Sequence, residues 1–209
     1  MDNSSTINMG SLDVVFGGMW AGKSSELIRI ATQLEHLEIP FIIINHNIDT
    51  RYGYKIVSTH NKKIMQCISL ENICDIWDLT NENYADNIIK YKESRVILVD
   101  ESQFFTDLKK FVVQAKDVDG KNIKIFGLHA DCNKDMFQPI IDILGHARNI
   151  TKLNALCSLC KDGTIAPHTL RLNNNTEQIE VGVDNYIAVC DKHWLEKTKE
   201  KENTNEKEI

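Results

Sequence analysis

The 209-residue chain is sparing with proline (three) and glycine (ten), and only 7% of it is aromatic. Its uninterrupted apolar runs stop at strand length. Phe41-Ile42-Ile43-Ile44 and Val96-Ile97-Leu98-Val99 fall far short of the roughly 20 residues a helix needs to cross a bilayer, so no membrane span and no membrane partner are expected. The first eleven residues carry neither a basic stretch nor a long apolar one, which argues against a secretory signal. There is no basic excess either: 24 Lys and Arg face 30 Asp and Glu, a net charge of -6. A chain of that balance lacks the cationic face that binding to a phosphate backbone needs, so nucleic acid is not an expected partner. Six cysteines are too few to staple a chain of this length with disulfides. Their clustering toward the C-terminal side points to metal chemistry in a reducing, cytoplasmic setting. What is present is ordinary for a globular protein, with 42% hydrophobic and 26% charged residues. A chain this long buries roughly 70% of the surface its unfolded form exposes.

The apolar pattern divides the chain into a leader (residues 1–11), an α/β domain (12–147), a small metal-stapled lobe (148–195) and a disordered charged tail (196–209). Within the second part, apolar strands are expected at residues 12–16, 41–45, 95–100 and 123–127. Helices are expected at 24–37, 84–91, 107–118 and 139–147, and a polar loop at 49–60. Near-continuous apolar strands alternating with helices predict a parallel sheet with helices on both faces. After about Arg148 only short strand-like pieces remain, around the Cys and His positions. Residues 196–209 alternate Lys and Glu without apolar partners and read as a solvated tail; the Lys201-Glu202-Asn203 match to a short degradation motif there reads as chance.

Three motifs carry chemistry. Gly17-Gly18-Met19-Trp20-Ala21-Gly22-Lys23-Ser24 fits G-x-x-x-x-G-K-[ST], with an apolar strand before it and an amphipathic helix after it. Glycines let backbone N–H groups wrap phosphate oxygens, the helix N-terminus adds its positive end, Lys23 adds a point charge, and the Ser24 hydroxyl suits Mg²⁺. Asp100-Glu101 ends an apolar strand. An acid placed there faces the metal of a bound nucleotide, and its neighbour, pointing to the other side, is free to take a proton from an incoming hydroxyl. Cys157-x-x-Cys160 and Cys190-x-x-His193 form two ligand pairs that complete a closed tetrahedron, the pattern of a structural Zn²⁺.

Together with Asp49-Thr50-Arg51-Tyr52 and Asp100-Glu101-Ser102-Gln103-Phe104-Phe105, these blocks resemble the cytosolic-type (type II) thymidine kinases in order and spacing, from about residue 10 to 195. The resemblance implies a P-loop α/β fold with a zinc-ribbon-like lobe carrying a lasso loop, and ATP-dependent phosphorylation of thymidine at its 5′-hydroxyl. It implies Glu101 as catalytic base, with Asp100 near Mg²⁺ and Asp49, Thr50, Arg51 and Gln103 on the ATP and Mg²⁺ side. It implies that Phe104 stacks on the base, that Leu128, Cys132 and Phe137 line the base pocket, and that Ile179, Glu180, Val181, Gly182 and Tyr186 contact the nucleoside from the lasso. Homotetramers and inhibition by the final triphosphate are further family expectations.

The chain departs from the family after the fourth strand, where Leu128-His129-Ala130-Asp131-Cys132-Asn133 puts His129 in place of an acid and Cys132 in place of an aromatic. The lasso is one residue short, with Val183 in a usually Gly-rich stretch. Three rival readings stand beside the first: a kinase for another deoxynucleoside, a P-loop ATPase or switch, and a nucleic-acid-binding zinc lobe. On the residues alone, the alternative for Phe104 and Phe105 is a place in the core, and for Tyr186 a packing role.

Overall fold

The computed structural model describes residues 9–49, 56–58, 64–80, 85–173 and 185–205. Its centre is a six-stranded parallel sheet built from β1 (Ser11–Gly17), β2 (Phe41–His46), β5 (Ile68–Leu70), β6 (Val96–Val99), β7 (Asn122–Gly127) and β8 (Asn149–Leu153), in the order β5-β2-β6-β7-β1-β8. Strand alternation sorts the side chains onto two faces. Leu12, Val14, Ile42, Ile44, Ile97, Val99, Ile123 and Ile125 face one way. Residues of α2 (Ala85–Glu93), α3 (Leu108–Val113) and α4 (Gln138–Leu144) cover that face with Tyr91, Leu108, Phe111, Val112, Ile140 and Ile143. Val15, Ile43, Leu98 and Phe126 face the other way, under Leu27, Ile28 and Ala31 of α1 (Lys23–His36). Each of these buried aliphatic side chains contributes roughly 1.5–3 kcal/mol. The double-faced burial is why the strands read as continuous apolar runs.

The parallel sheet with helices on both faces is the expected one, with four differences. Residues 149–153, expected in the metal lobe, form β8 and extend the main sheet, pairing with β1 from Asp13↔Asn149 to Gly17↔Leu153. β8 is mostly exposed, as an edge strand can be, so no apolar run marks it. The segment expected as a polar loop contains β3 (Ile56–Ser58), paired antiparallel with β4 (Ile64–Gln66). The helix expected over 107–118 is α3 followed by a π-helical turn, Gln114–Val118. Of the expected disordered tail (196–209), the described residues 196–205 belong to a helix, α5 (Asp191–Asn205). Lys197 to Glu200 at 2.7 Å and Lys192 to Glu196 at 4.0 Å lie at helical spacing, where each such exposed pair adds a few tenths of a kcal/mol.

The metal lobe has a core of its own. β9 (Ala155–Leu156) pairs with β10 (Ile165–Ala166), and β11 (His168–Arg171) pairs with β12 (Tyr186–Val189). Ala155, Cys157, Ala166, Leu170, Ala188, Val189 and Cys190 are buried together, with Trp194 of α5 packed against them.

Candidate functional site

The parallel strands all deliver their C-terminal ends to one edge of the sheet, where α/β folds place ligands. β1 ends at Gly17, and the turn to α1 carries left-handed backbone at Trp20 (φ 66°) and Gly22 (φ 85°). Glycine takes that conformation without strain, and the turn brings Lys23 to the first position of the helix. The Lys23 Nζ donates to the Gly18 carbonyl at 2.8 Å, folding the ammonium back over the loop. Ser24 Oγ donates to Asp100 Oδ2 at 3.3 Å, so the hydroxyl and carboxylate expected to share a metal stand side by side although 76 residues separate them. Of the loop residues, Met19 behaves otherwise than expected: its N–H is given to Thr169 Oγ1 at 3.0 Å instead of pointing into the anion nest.

Glu101, two residues past the end of β6, is 8% exposed and holds a left-handed backbone (φ 46°). For a non-glycine residue that conformation costs on the order of 1–3 kcal/mol and turns the side chain away from the path a strand would give it. Its N–H donates to Asp100 Oδ1 at 3.0 Å. Gln103, expected on the nucleotide and metal side, lies behind the carboxylate: its Nε2 donates to Glu101 Oε2 at 2.6 Å and its Oε1 accepts the Leu128 N–H at 2.9 Å. Gly127 makes this possible, because a Cβ there would stand 2.5 Å from Ser102 Oγ and 2.8 Å from Gln103 Oε1.

Around these groups the structure sorts the remaining expected residues. Phe105 is fully buried core, whereas Phe104 is half-buried with its ring 5.6 Å from His46. Burial holds the His46 imidazole below its usual range, while the carboxylates of Glu71, Asp107 and Glu101 pull the other way. Asn45 Nδ2 donates to Asp49 Oδ2 at 3.2 Å, and so steadies that carboxylate at the end of β2. Leu128 and Cys132 are half-buried, and the Cys132 carbonyl accepts the Trp194 indole N–H at 3.1 Å. Phe137, expected in the base pocket, belongs to the main core and is 6% exposed. Tyr186 is buried in β12 with its hydroxyl accepting from Arg171 Nε at 3.1 Å and Nη2 at 2.7 Å. Thr50, Arg51, Ile179, Glu180, Val181 and Gly182 lie outside the described residues. Asn45, His46, Thr169, Arg171 and Trp194 were not singled out from sequence. Their partners are distant in the chain or sit at unremarkable spacings, and no motif marks them.

His129, which stands where the resemblance implies an acid, stacks on Phe16 at 5.4 Å. Its Nδ1 is buried and has no hydrogen-bond partner. Burial, with the cations of Lys152 and Lys23 nearby, pushes its pKa down to about 4 despite the Gly17 carbonyl, so the ring is neutral at physiological pH.

Cys157, Cys160, Cys190 and His193 bring one ligand atom each within 4.8 Å of all the others. His193 Nδ1 lies 3.4 Å from each of the three sulfurs, and the Cys160 and Cys190 sulfurs are 3.8 Å apart. A zinc tetrahedron with bonds of about 2.3 Å to sulfur and 2.0–2.1 Å to nitrogen has edges of about 3.8 Å between sulfurs and about 3.5 Å from sulfur to nitrogen. The four residues therefore fit the ion and leave no open position for chemistry.

What the ends of β1 and β6 offer is a cradle for the phosphates of a nucleotide with a carboxylate held just beyond it, and that arrangement places the protein among the P-loop phosphotransferases. Comparison with known proteins narrows the class. A sequence profile described as thymidine kinase matches residues 10–194, so the chain belongs to the thymidine kinase family. It is 34% identical over 189 residues to a thymidine kinase of Oryza sativa subsp. japonica, covering 90% of this chain and 67% of that one. It is 34% identical over 188 residues to thymidine kinase a of Arabidopsis thaliana, covering 89% and 75%. With the cytosolic thymidine kinase of Gallus gallus the identity is 30% over 201 residues, covering 95% and 83%. Among the described residues, no helix is long and apolar enough to cross a membrane.

Proposed function

We propose that the protein transfers the γ-phosphoryl group of ATP to the 5′-hydroxyl of thymidine, with Glu101 as the general base. The observation that carries this reading is the pairing of Ser24 with Asp100 at 3.3 Å, with the Glu101 carboxylate next in the chain and pinned by Gln103 at 2.6 Å. Lys23 and the turn from Gly17 to Gly22 hold the phosphates. Ser24 and Asp100 are the residues that would hold Mg²⁺, which supplies charge neutralisation on the phosphate oxygens when bound. Asp49, braced by Asn45, and Arg51 serve the phosphate side. Glu101 accepts the proton of the 5′-hydroxyl as the oxygen bonds to the γ-phosphorus and the bond to ADP breaks. Phe104, half-buried beside His46, offers a face for the base, where stacking is worth roughly 1–3 kcal/mol. By family likeness, Leu128, Ile179, Glu180, Val181 and Gly182 serve nucleoside binding. Cys157, Cys160, Cys190 and His193 would hold Zn²⁺ in a structural role.

The reading extends, by family likeness, to a cytoplasmic homotetramer, which light scattering tests. The experiment for the reaction itself follows radiolabelled thymidine with ATP. Glu101→Gln should cut kcat on the order of 10²- to 10⁴-fold with little change in the KM for ATP. Undiminished turnover would remove the base assignment, and ATP hydrolysis that needs no nucleoside would favour the ATPase reading. A kinase for a different deoxynucleoside is supported by one specific feature: half-buried Cys132 and core-bound Phe137 leave the expected aromatic wall unbuilt. A panel of deoxynucleosides compared by kcat/KM separates the two.

A further inference from the structure

The phosphate loop is tied to the metal lobe. Thr169, in the middle of β11 and 7% exposed, accepts the Met19 N–H on its Oγ1 at 3.0 Å across 150 residues of sequence. The approach is close enough that a Cβ on Gly18 would come to 3.0 Å from the same oxygen. A second, longer contact runs from Trp20 Nε1 to the Tyr186 carbonyl at 3.4 Å. Behind Thr169 the connection continues to the metal ligands. Thr169 pairs with Ala188 of β12, the Ala188 carbonyl accepts the N–H of Ser158, and β12 runs directly into Cys190, whose N–H faces the Cys157 sulfur at 3.4 Å.

A Gly-rich loop that binds phosphate through its backbone has no side-chain scaffold of its own, and its N–H groups work only if their directions are fixed beforehand. α1 fixes the C-terminal half of this loop and β1 fixes its start. The stretch between, Gly18 to Trp20, contains a left-handed residue; the Lys23 ammonium holds its Gly18 carbonyl, and its Met19 N–H is held from outside the loop by Thr169. We propose that Thr169 is a positioning residue for phosphate binding: its hydroxyl, anchored through the hairpin to the metal knuckle, sets the orientation of the Met19–Trp20 backbone. The inference rests on the kinase reading above and deepens it, because it gives the metal lobe a part in holding ATP.

The test is calorimetric titration of the full chain with Mg²⁺ and a non-hydrolysable ATP analogue, using wild type, Thr169→Val and Thr169→Ser. Valine keeps the branched shape of threonine and cannot accept a hydrogen bond, whereas serine keeps the hydroxyl. The expected result is about a five- to tenfold rise in Kd for the valine variant, the worth of one net hydrogen bond, with serine at wild-type affinity and zinc content equal in all three. Unchanged affinity in the valine variant overturns the assignment, and so does an equal loss in both variants, since packing would then be at issue. Amide exchange in the wild type needs no variant. The Met19 N–H should exchange more slowly than that of Ala21, and equal or faster exchange overturns the latch. A wild type that takes up no analogue overturns the kinase reading and the latch together, and is told apart because all three proteins then show no binding.

Discussion

Replacing Gln103 by leucine keeps the bulk of a side chain that is 3% exposed and removes both of its polar contacts. The first loss is the 2.6 Å bond to Glu101 Oε2, a hydrogen bond to a carboxylate of the kind worth roughly 1.5–3 kcal/mol. The second is the acceptor for the Leu128 N–H at 2.9 Å, and a backbone donor left unpaired in a partly buried place costs about 1–3 kcal/mol. The added apolar burial of leucine offsets part of this, so the net loss of stability should be about 2–4 kcal/mol, or a fall in Tm of roughly 5–15 °C for a chain of this size. The catalytic consequence is separate. With Gln103 gone, the Glu101 carboxylate loses this brace, and a displacement of about 1 Å can lower turnover on the order of 10²-fold. Urea denaturation and steady-state kinetics with both substrates make the measurement. The expected pattern is a kcat reduced at least tenfold, a KM for ATP within about twofold of wild type, and a lower urea midpoint. A variant that is less stable yet turns over at the wild-type rate would show that the Gln103 bond does not aim the carboxylate, and the bracing argument would be wrong.

Two further outcomes are expected. Metal analysis should find one zinc per chain. Cys160→Ser or prolonged chelation should lower the melting temperature sharply, since structural zinc contributes on the order of 10 kcal/mol of apparent binding energy, and an unchanged melt after metal removal would refute the structural role. His129 titrates near 4 in the folded protein against an ordinary 6.5, so the unfolded chain takes up its proton first as pH falls. Its contribution to stability is intact above pH 6.5 and is lost progressively toward pH 4. His129→Phe should therefore flatten the fall in urea midpoint between pH 7 and pH 5, and identical slopes in the two proteins would contradict the assignment.

The parts of the site legible in the sequence are those in which chemistry and local backbone coincide. The phosphate loop needs a strand before it and a helix after it, and both neighbours are strongly patterned, so residues 17–24 fell where expected. The cysteine and histidine pairs announce themselves because two-residue gaps have few other uses. The strand ending at Val99 was visible as four apolar residues before two acids. What stayed hidden depends on contacts between distant residues. β8 lies on the open edge of the sheet, so selection for an apolar run is weak there and its membership is set by β1 alone. β3, β4 and β5 are three residues each, too short for periodicity to register. Gln103 looked like a nucleotide-side residue because it follows Asp100 and Glu101 closely, and only the position of Leu128, 25 residues on, reveals it as a brace. A motif position suggested Phe137 as a pocket wall, and its packing against the main core at the start of α4 left no mark in the sequence. Charge alternation in residues 196–209 read as disorder, although the same spacing also suits a helix, which runs to residue 205 once the knuckle at Cys190 starts it.

The placing of β1 also bears on how the protein is made. Its two neighbours begin at Asn122 and Asn149, so during synthesis β1 waits for partners more than a hundred residues behind it. At about 5–20 residues per second, that wait lasts roughly 5 to 30 s, during which Leu12, Val14 and Val15 are exposed on a strand open along both sides. Nascent chains of this protein are thus natural clients for chaperones that shield apolar segments during translation, and slow refolding with a tendency to aggregate is the expected behaviour of the purified chain when denaturant is withdrawn.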